Sequence, residues 1–262
     1  MSTSRLTTAT VAARIPYANA APFYALWSEA PFAVRNLVPR ELGREAEAGG
    51  VDLGLMAVGD FLRLEDRFEM VGPMGVAAHG DVLSVLLFSR RPAASLEGAL
   101  VSVTPETSTS VRLLRLLLGA RRGFTSVRYV RGLEPAQSDA MLAIGDRAMR
   151  LRRERPAGFG DMLDLGSDWL EWTGLPFVYA VWAVRRSLDP EIKAELAGFL
   201  EASLEAGLSS LADIARQPTD TGWSAAEIEA YLRRFRYRLG AEELAGMARF
   251  AALVREGGLL EE

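Results

Sequence analysis

Short apolar runs, each closed by proline, glycine or a helix-starting residue, alternate with amphipathic segments along most of the chain. This alternation restricts it to an α/β fold. The run 12–17 predicts a strand that ends in the loop Tyr17-Ala18-Asn19-Ala20-Ala21-Pro22, and a helix follows over 23–28 with Pro22 suited to its first turn. Strands over 34–38 and 51–58 flank a helix at 39–48, which opens on Pro39 and stops at Gly49-Gly50. The nearly unbroken apolar run 82–89 suits a strand covered on both faces.

After Arg91-Pro92 a second series begins. Strands are expected at 99–103, 126–130 and 139–144, with a helix at 111–118 ended by Gly119 and another opening at Asp146. A long apolar strand over 176–184 follows. The last third reads as all helix: Asp189-Pro190-Glu191 has the form of an N-cap with a first-turn proline, and Ser224-Ala225-Ala226-Glu227 has the spacing of a capping box. Two series followed by a return strand and helices imply two α/β lobes. Residues 1–89 and 180–262 would form a large discontinuous lobe and 90–179 a small one, with a ligand cleft between them.

The composition removes many chemistries. A chain of 262 residues can bury a sizeable core, but its 34 acidic and 30 basic residues offer no basic surplus for nucleic acid or an anionic membrane. All but one of the basic residues are arginine, so a long arginine list is weak evidence of function. The absence of cysteine excludes disulfides, thiol catalysis and cysteine-ligated metals, and the one histidine, His79, excludes a multi-histidine site. The N-terminal string lacks a signal-peptide core, and the apolar stretches 82–88 and 174–184 fall short of the roughly 20 residues of a membrane helix. The expected location is cytoplasmic.

The segment Glu106-Thr107-Ser108-Thr109-Ser110-Val111-Arg112 sets four hydroxyl residues directly before an apolar helix. The free N–H groups of such a turn favour an anion, and the hydroxyls add donors. A plain Ser/Thr N-cap explains the same string equally well. Asn19 follows a strand in a loop of small residues, where its amide suits a substrate hydroxyl or carboxylate or else satisfies a local turn. Ser84, inside an apolar strand, must find a partner, either backbone or ligand. Asp146 at a strand's carboxyl end is more simply a helix cap, although open α/β sheets bind ligands there. Asp52 reads as structural and His79 as a solvated loop residue. Trp169, Trp172, Phe177, Tyr179 and Trp182 read mostly as core, with one or two lining an apolar ligand wall.

Several strings together resemble a known family. They are Arg14-Ile15-Pro16-Tyr17-Ala18-Asn19-Ala20-Ala21-Pro22, Val51-Asp52-Leu53-Gly54-Leu55, Ser108-Thr109-Ser110-Val111-Arg112-Leu113-Leu114, Ala143-Ile144-Gly145-Asp146-Arg147-Ala148, and the stretch from Trp169 through Thr173-Gly174-Leu175-Pro176-Phe177-Val178 to Trp182. The chain resembles the MqnA/MqnD family of the futalosine route to menaquinone, and more closely its dehydratase branch. The resemblance runs from about Arg14 to Trp182 and is looser over the C-terminal helices.

It implies a periplasmic-binding-protein-like fold of type II, closing on a small dicarboxylate. The implied reaction converts chorismate to 3-(1-carboxyvinyloxy)benzoate and water, with no metal or redox cofactor, because aromatisation of the ring supplies most of the driving force. The resemblance further implies that Ser108, Thr109, Ser110 and Val111 bind a substrate carboxylate, and that Asn19 and Ser84 face the cleft. Asp146 is a candidate base or orienting acid, and the substrate's own ether carboxylate is an alternative base. The sister branch, 1,4-dihydroxy-6-naphthoate synthase, uses a cleft histidine that the Ile144-Gly145-Asp146 string does not offer. A non-catalytic small-anion solute-binding protein of the same fold is the other reading.

Overall fold

The computed structural model describes residues 6–7 and 9–260 of the chain. In chain order it builds β1 (Val11–Arg14), β2 (Ala33–Asn36), α1 (Pro39–Ala48), β3 (Leu53–Ala57), α2 (Val58–Arg63), β4 (Phe68–Ala78), β5 (Val85–Ser89) and β6 (Leu100–Val103). There follow α3 (Thr109–Leu118), β7 (Arg128–Arg131), β8 (Ala140–Ile144), α4 (Gly145–Glu154), β9 (Asp161–Asp164), α5 (Leu165–Thr173) and β10 (Phe177–Arg185). The chain ends with α6 (Pro190–Ser209), α7 (Leu211–Ala215), α8 (Ala225–Leu232), β11 (Phe235–Arg238) and α9 (Ala241–Glu256).

The strands form two sheets. One runs β11-β4-β10-β3-β1-β2 and the other β7-β6-β8-β5-β9. In each, parallel strands (β2-β1-β3 and β7-β6-β8) are extended by antiparallel partners. The change of sheet occurs over 79–84, before β5, and again before Phe177. Lobe boundaries drawn at 89/90 and 179/180 therefore fall at the end of β5 and inside β10. At the first crossing the Asp164 carboxylate accepts the N–H groups of Val82 (3.1 Å) and Leu83 (2.8 Å) while also capping α5 through Gly166 (2.9 Å). Leu83 is held there at φ +63°, a left-handed conformation that a branched side chain adopts only under constraint.

Several elements differ from the sequence reading, which has neither α2 nor β9. The 23–28 helix is instead two 3-10 segments, Ala18–Tyr24 and Trp27–Glu29, with Pro22 inside the first. β4 escapes the apolar pattern because Gly72-Pro73 interrupts it, and the strand answers with register shifts against β10. The short α5, capped by Asp164, was likewise not anticipated. The last third is not all helix: β11, arginine-rich with alternating burial, adds an edge strand to β4. The Asp189 cap and the Ser224–Glu227 capping box form as expected. Asp52 is structural, accepting Val11 N–H (3.0 Å) and pairing with Arg185 (2.9 Å), and His79 is exposed.

Aromatic edges set the core of the first lobe. Phe23 meets Trp182 edge-on at 5.5 Å, and Trp27 meets the same indole at 5.7 Å. On the other side of β10, Phe250 of α9 packs on Phe177 (5.0 Å) and Trp169 (6.2 Å). Trp169, Phe177 and Trp182 are thus core. Among the described residues no helix is long and apolar enough to cross a membrane.

The 3-10 segment Ala18–Tyr24 is clamped against α6. Ser203 Oγ donates to Phe23 O (2.7 Å) and accepts from Leu26 N (3.2 Å). A Cβ on Gly207 would lie 1.9 Å from the carbonyl oxygen of Pro22. Gly207→Ala should therefore lose about 1–3 kcal/mol in chemical denaturation, outweighing the helix propensity gained by alanine. An unchanged denaturation midpoint would show that α6 and the segment are not in firm contact.

Candidate functional site

A pocket of about 580 Å3, its open mouth included, lies between the two sheets. The first lobe supplies Ile15, Tyr17 and Asn19 from beyond β1, Leu55 and Ala57 from β3, Val76 from β4, and Tyr179 and Ala180 from β10. The second supplies Ser84 and Val85 at the start of β5, Thr107 to Ser110 at the start of α3, and Ile144 with Gly145 where β8 turns into α4. The ends of β1, β3, β6 and β8 all meet here, the place where α/β sheets hold ligands.

Asn19, Ser84, Ser108, Thr109 and Ser110 are therefore brought together, although they come from separate stretches of the chain. Val111 is buried in the first turn of α3 and Asp146 stands one residue beyond Gly145; neither side chain lines the pocket. Asp146 faces the far side, where its Oδ1 accepts the N–H of Ala18 (3.1 Å). It caps the 3-10 segment that carries Asn19, so it acts on the pocket through that segment.

The hydroxyls are not equivalent. Thr109 Oγ1 accepts Gly59 N–H (3.0 Å) and donates to Tyr179 O (3.3 Å), so it pins α3 to α2 and β10 of the opposite lobe. Ser108 Oγ accepts from Arg112 Nη1 (2.8 Å) and hydrogen-bonds Asp60. Ser110 makes no side-chain hydrogen bond among the described residues, and neither does Asn19. The first-turn N–H groups of Thr109, Ser110 and Val111 have no acceptor within their own helix. Ser84 Oγ accepts from Tyr231 of α8 (2.8 Å) and makes a longer contact to Val82 O (3.3 Å).

Among the described residues no Asp, Glu, Lys, Arg or His side chain lines this pocket. The positive field comes from the α3 N-terminus and from Arg112 behind it. That guanidinium is fully buried and donates to Ser108 O (3.2 Å), Leu259 O (2.9 Å) and Leu260 O (2.9 Å). The tyrosines of the site stay protonated: burial raises Tyr179, Tyr231 and Tyr17, and the Glu106 carboxylate, which accepts from Tyr17 Oη at 2.7 Å, raises Tyr17 further. Tyr17 and Tyr231 were not picked out as site residues from sequence, while Thr107 and Arg112 stood only within the hydroxyl segment and Tyr179 only among five aromatics. Tyr17 sits two places before Asn19 and Tyr179 in the aromatic-rich string, which were the signals available. Among the described residues no group of three or more His, Cys, Asp and Glu side chains could hold a metal ion.

Fold and pocket define a two-lobed protein of the periplasmic-binding-protein-like fold class. The alkanesulfonate-binding protein SsuA of Xanthomonas axonopodis pv. citri superposes with a TM-score of 0.67 at 15% identity, over 99% of this chain and 96% of that one. A family model described as menaquinone biosynthesis matches residues 10–256, and the chain belongs to that family. It is 35% identical to a chorismate dehydratase of Thermus thermophilus, over 90% of this chain and 91% of the relative. It is also 28% identical to a 1,4-dihydroxy-6-naphtoate synthase of the same organism, over 83% and 81%.

Burial raises the Asp146 carboxyl above the ordinary aspartate range; the Ala18 N–H opposes this and Asp220 adds to it. The folded protein thus holds this proton more tightly than the unfolded chain, and the group costs stability as pH rises through the raised value. Asp146→Asn keeps an acceptor for Ala18. Its urea midpoint at pH 7 should match or exceed that of the parent and vary less with pH above about 4. A clear loss at pH 7 would mean that the ionised carboxylate is the better cap.

Proposed function

We infer that the chain is a chorismate dehydratase, a hydro-lyase that forms 3-(1-carboxyvinyloxy)benzoate and water at the first step of the futalosine route. The observation that carries this reading is the convergence of Asn19, Ser84, Ser110 and the free α3 amides on one pocket without a charged side chain.

Chorismate brings two carboxylates, a ring hydroxyl and a latent aromatic ring. The α3 first turn grips one carboxylate through the amides of Thr109, Ser110 and Val111 and the Ser110 hydroxyl. Asn19 and Ser84, which both line the pocket, orient the ring hydroxyl that leaves. The proton on the ether-bearing carbon departs to a base, its C–H electrons become part of the ring, the C–O bond to the ring hydroxyl breaks, and the base hands its proton to the departing hydroxide, which leaves as water. Asp146 is turned away from the pocket, so we assign it to positioning Asn19 and assign the base to the ether carboxylate of the substrate. A pocket wall without a cationic side chain suits that role, since a cation in contact would lower the basicity of that carboxylate.

The synthase reading fits less well. The cleft histidine implied for that branch has no counterpart here: His79 is exposed and outside the pocket. A non-catalytic binder would share the pocket but release chorismate unchanged.

The test is incubation of the purified protein with chorismate while following the aromatic enolpyruvyl ether. Asn19→Ala and Ser84→Ala should each lower kcat about 100-fold or more, with folding intact by circular dichroism. Full activity in both variants, or binding without product, would overturn the reading. Ser110→Leu should act mainly on KM, raising it roughly 10-fold or more for the lost carboxylate contact; an unchanged KM would place the carboxylate elsewhere.

A further inference from the structure

Behind the Thr107–Ser108 turn lies a second basin that the dehydration chemistry does not use. Arg40 and Arg44 reach it from α1, Arg63 from the end of α2 and Arg131 from the end of β7, so both lobes contribute. Its volume is about 570 Å3, open mouth included. Four guanidiniums face two carboxylates, Glu47 and Asp60, and Glu47 is already paired with Arg63 at 2.7 Å. Arg131 Nη1 donates to the carbonyl of Thr107 (3.0 Å), and Arg40 N–H to that of Glu106 (3.1 Å), so the basin wall is tied to the α3 turn.

A second observation points to a ligand. Thr107, in the wall shared by the basin and the central pocket, is 1% exposed, yet its hydroxyl has no hydrogen-bond partner among the described residues. Buried hydroxyls are rarely left so. The geometry points to a second anion site, separate from the central pocket, in which a phosphate-type dianion is gripped by the Arg40, Arg44 and Arg131 guanidiniums and the Thr107 hydroxyl and bridges the two lobes.

The shape of the donor set selects the class. A planar carboxylate accepts one guanidinium fork, whereas guanidiniums arriving from three elements suit a tetrahedral oxyanion with oxygens on several sides. Asp60 does not oppose this strongly. It is held by Ser108 and lies near Arg112, Arg63 and Arg40, and burial favours its neutral form. The site stands independently of the chorismate reading, because its test measures binding and not turnover.

The experiment is calorimetric titration of the full chain with inorganic phosphate in a phosphate-free buffer. One saturable site is expected. Arg40→Ala and Arg44→Ala should each weaken it roughly 10-fold or more, and Thr107→Val several-fold. Ser110→Leu, which obstructs the central pocket, and Arg236→Ala, a distant exposed arginine on β11, should leave it unchanged. Glycerol phosphate binding as well as phosphate would support a site open to phosphomonoesters, and its exclusion would support free phosphate as the ligand. Three results would overturn the inference: no saturable binding, phosphate affinity lost in Ser110→Leu but kept in the Arg40 and Arg44 variants, or malonate binding as tightly as phosphate.

Discussion

The first turn of α3 is the constraint on which the rest of the molecule depends. Helix N-termini expose unpaired N–H groups, and a buried one needs help to stay where it is. Here Thr109 spends its hydroxyl on Gly59 and Tyr179 of the opposite lobe, and Arg112 lies fully buried beneath the turn. A buried guanidinium is costly unless its donors are met, and the carbonyls of Ser108, Leu259 and Leu260 meet them. Residues 259–260 thus fold back to hold the charge that lies beneath the α3 turn. Gly59 has to be glycine for this: a Cβ there would come within 2.8 Å of Arg112 Nη1.

The same arrangement separates field from contact. Positive potential reaches the pocket from the helix dipole and from Arg112, while the surfaces that touch a ligand are amides, hydroxyls and apolar side chains. An anion entering such a pocket would meet no mobile lysine or arginine that needs desolvating. Tyrosines whose protons are held by burial complete the wall.

Much of this was legible in the sequence because buried strands read as continuous apolar runs and their helices carry explicit stops. The hydroxyl run before 111–118 and Asn19 at the end of the first strand stood out for the same local reason: strand ends and helix starts are where an α/β fold presents its polar groups. The rest was hidden by distance along the chain. Nothing near Thr109 tells that its hydroxyl serves residues 50 and 70 positions away, which leaves Ser110 as the free donor of the pair. Asp146 read more simply as a cap than as a cleft acid, and the group it caps, the N–H of Ala18, lies 128 positions back. β4 was masked by Gly72-Pro73. β11 was masked by arginines on its exposed face, a pattern that an amphipathic helix shares at that length.

Ser84 shows how the two crossings between lobes become part of the chemistry. Its backbone carbonyl accepts Gly145 N–H (2.8 Å), its hydroxyl accepts from Tyr231, and the preceding Leu83 is held left-handed by Asp164. Each bond comes from a different element, so the serine cannot move without disturbing α4, α8 and α5 together. Tyr231 needs its own proton to reach Ser84, and burial keeps that proton in place. With one lone pair of Ser84 taken by Tyr231, its own proton has only the 3.3 Å contact to Val82 O to lose by turning into the pocket. A hydroxyl fixed as acceptor on one side and weakly committed as donor on the other is suited to follow a ligand oxygen as charge builds on it. Helix α8, through Tyr231, supplies that asymmetry.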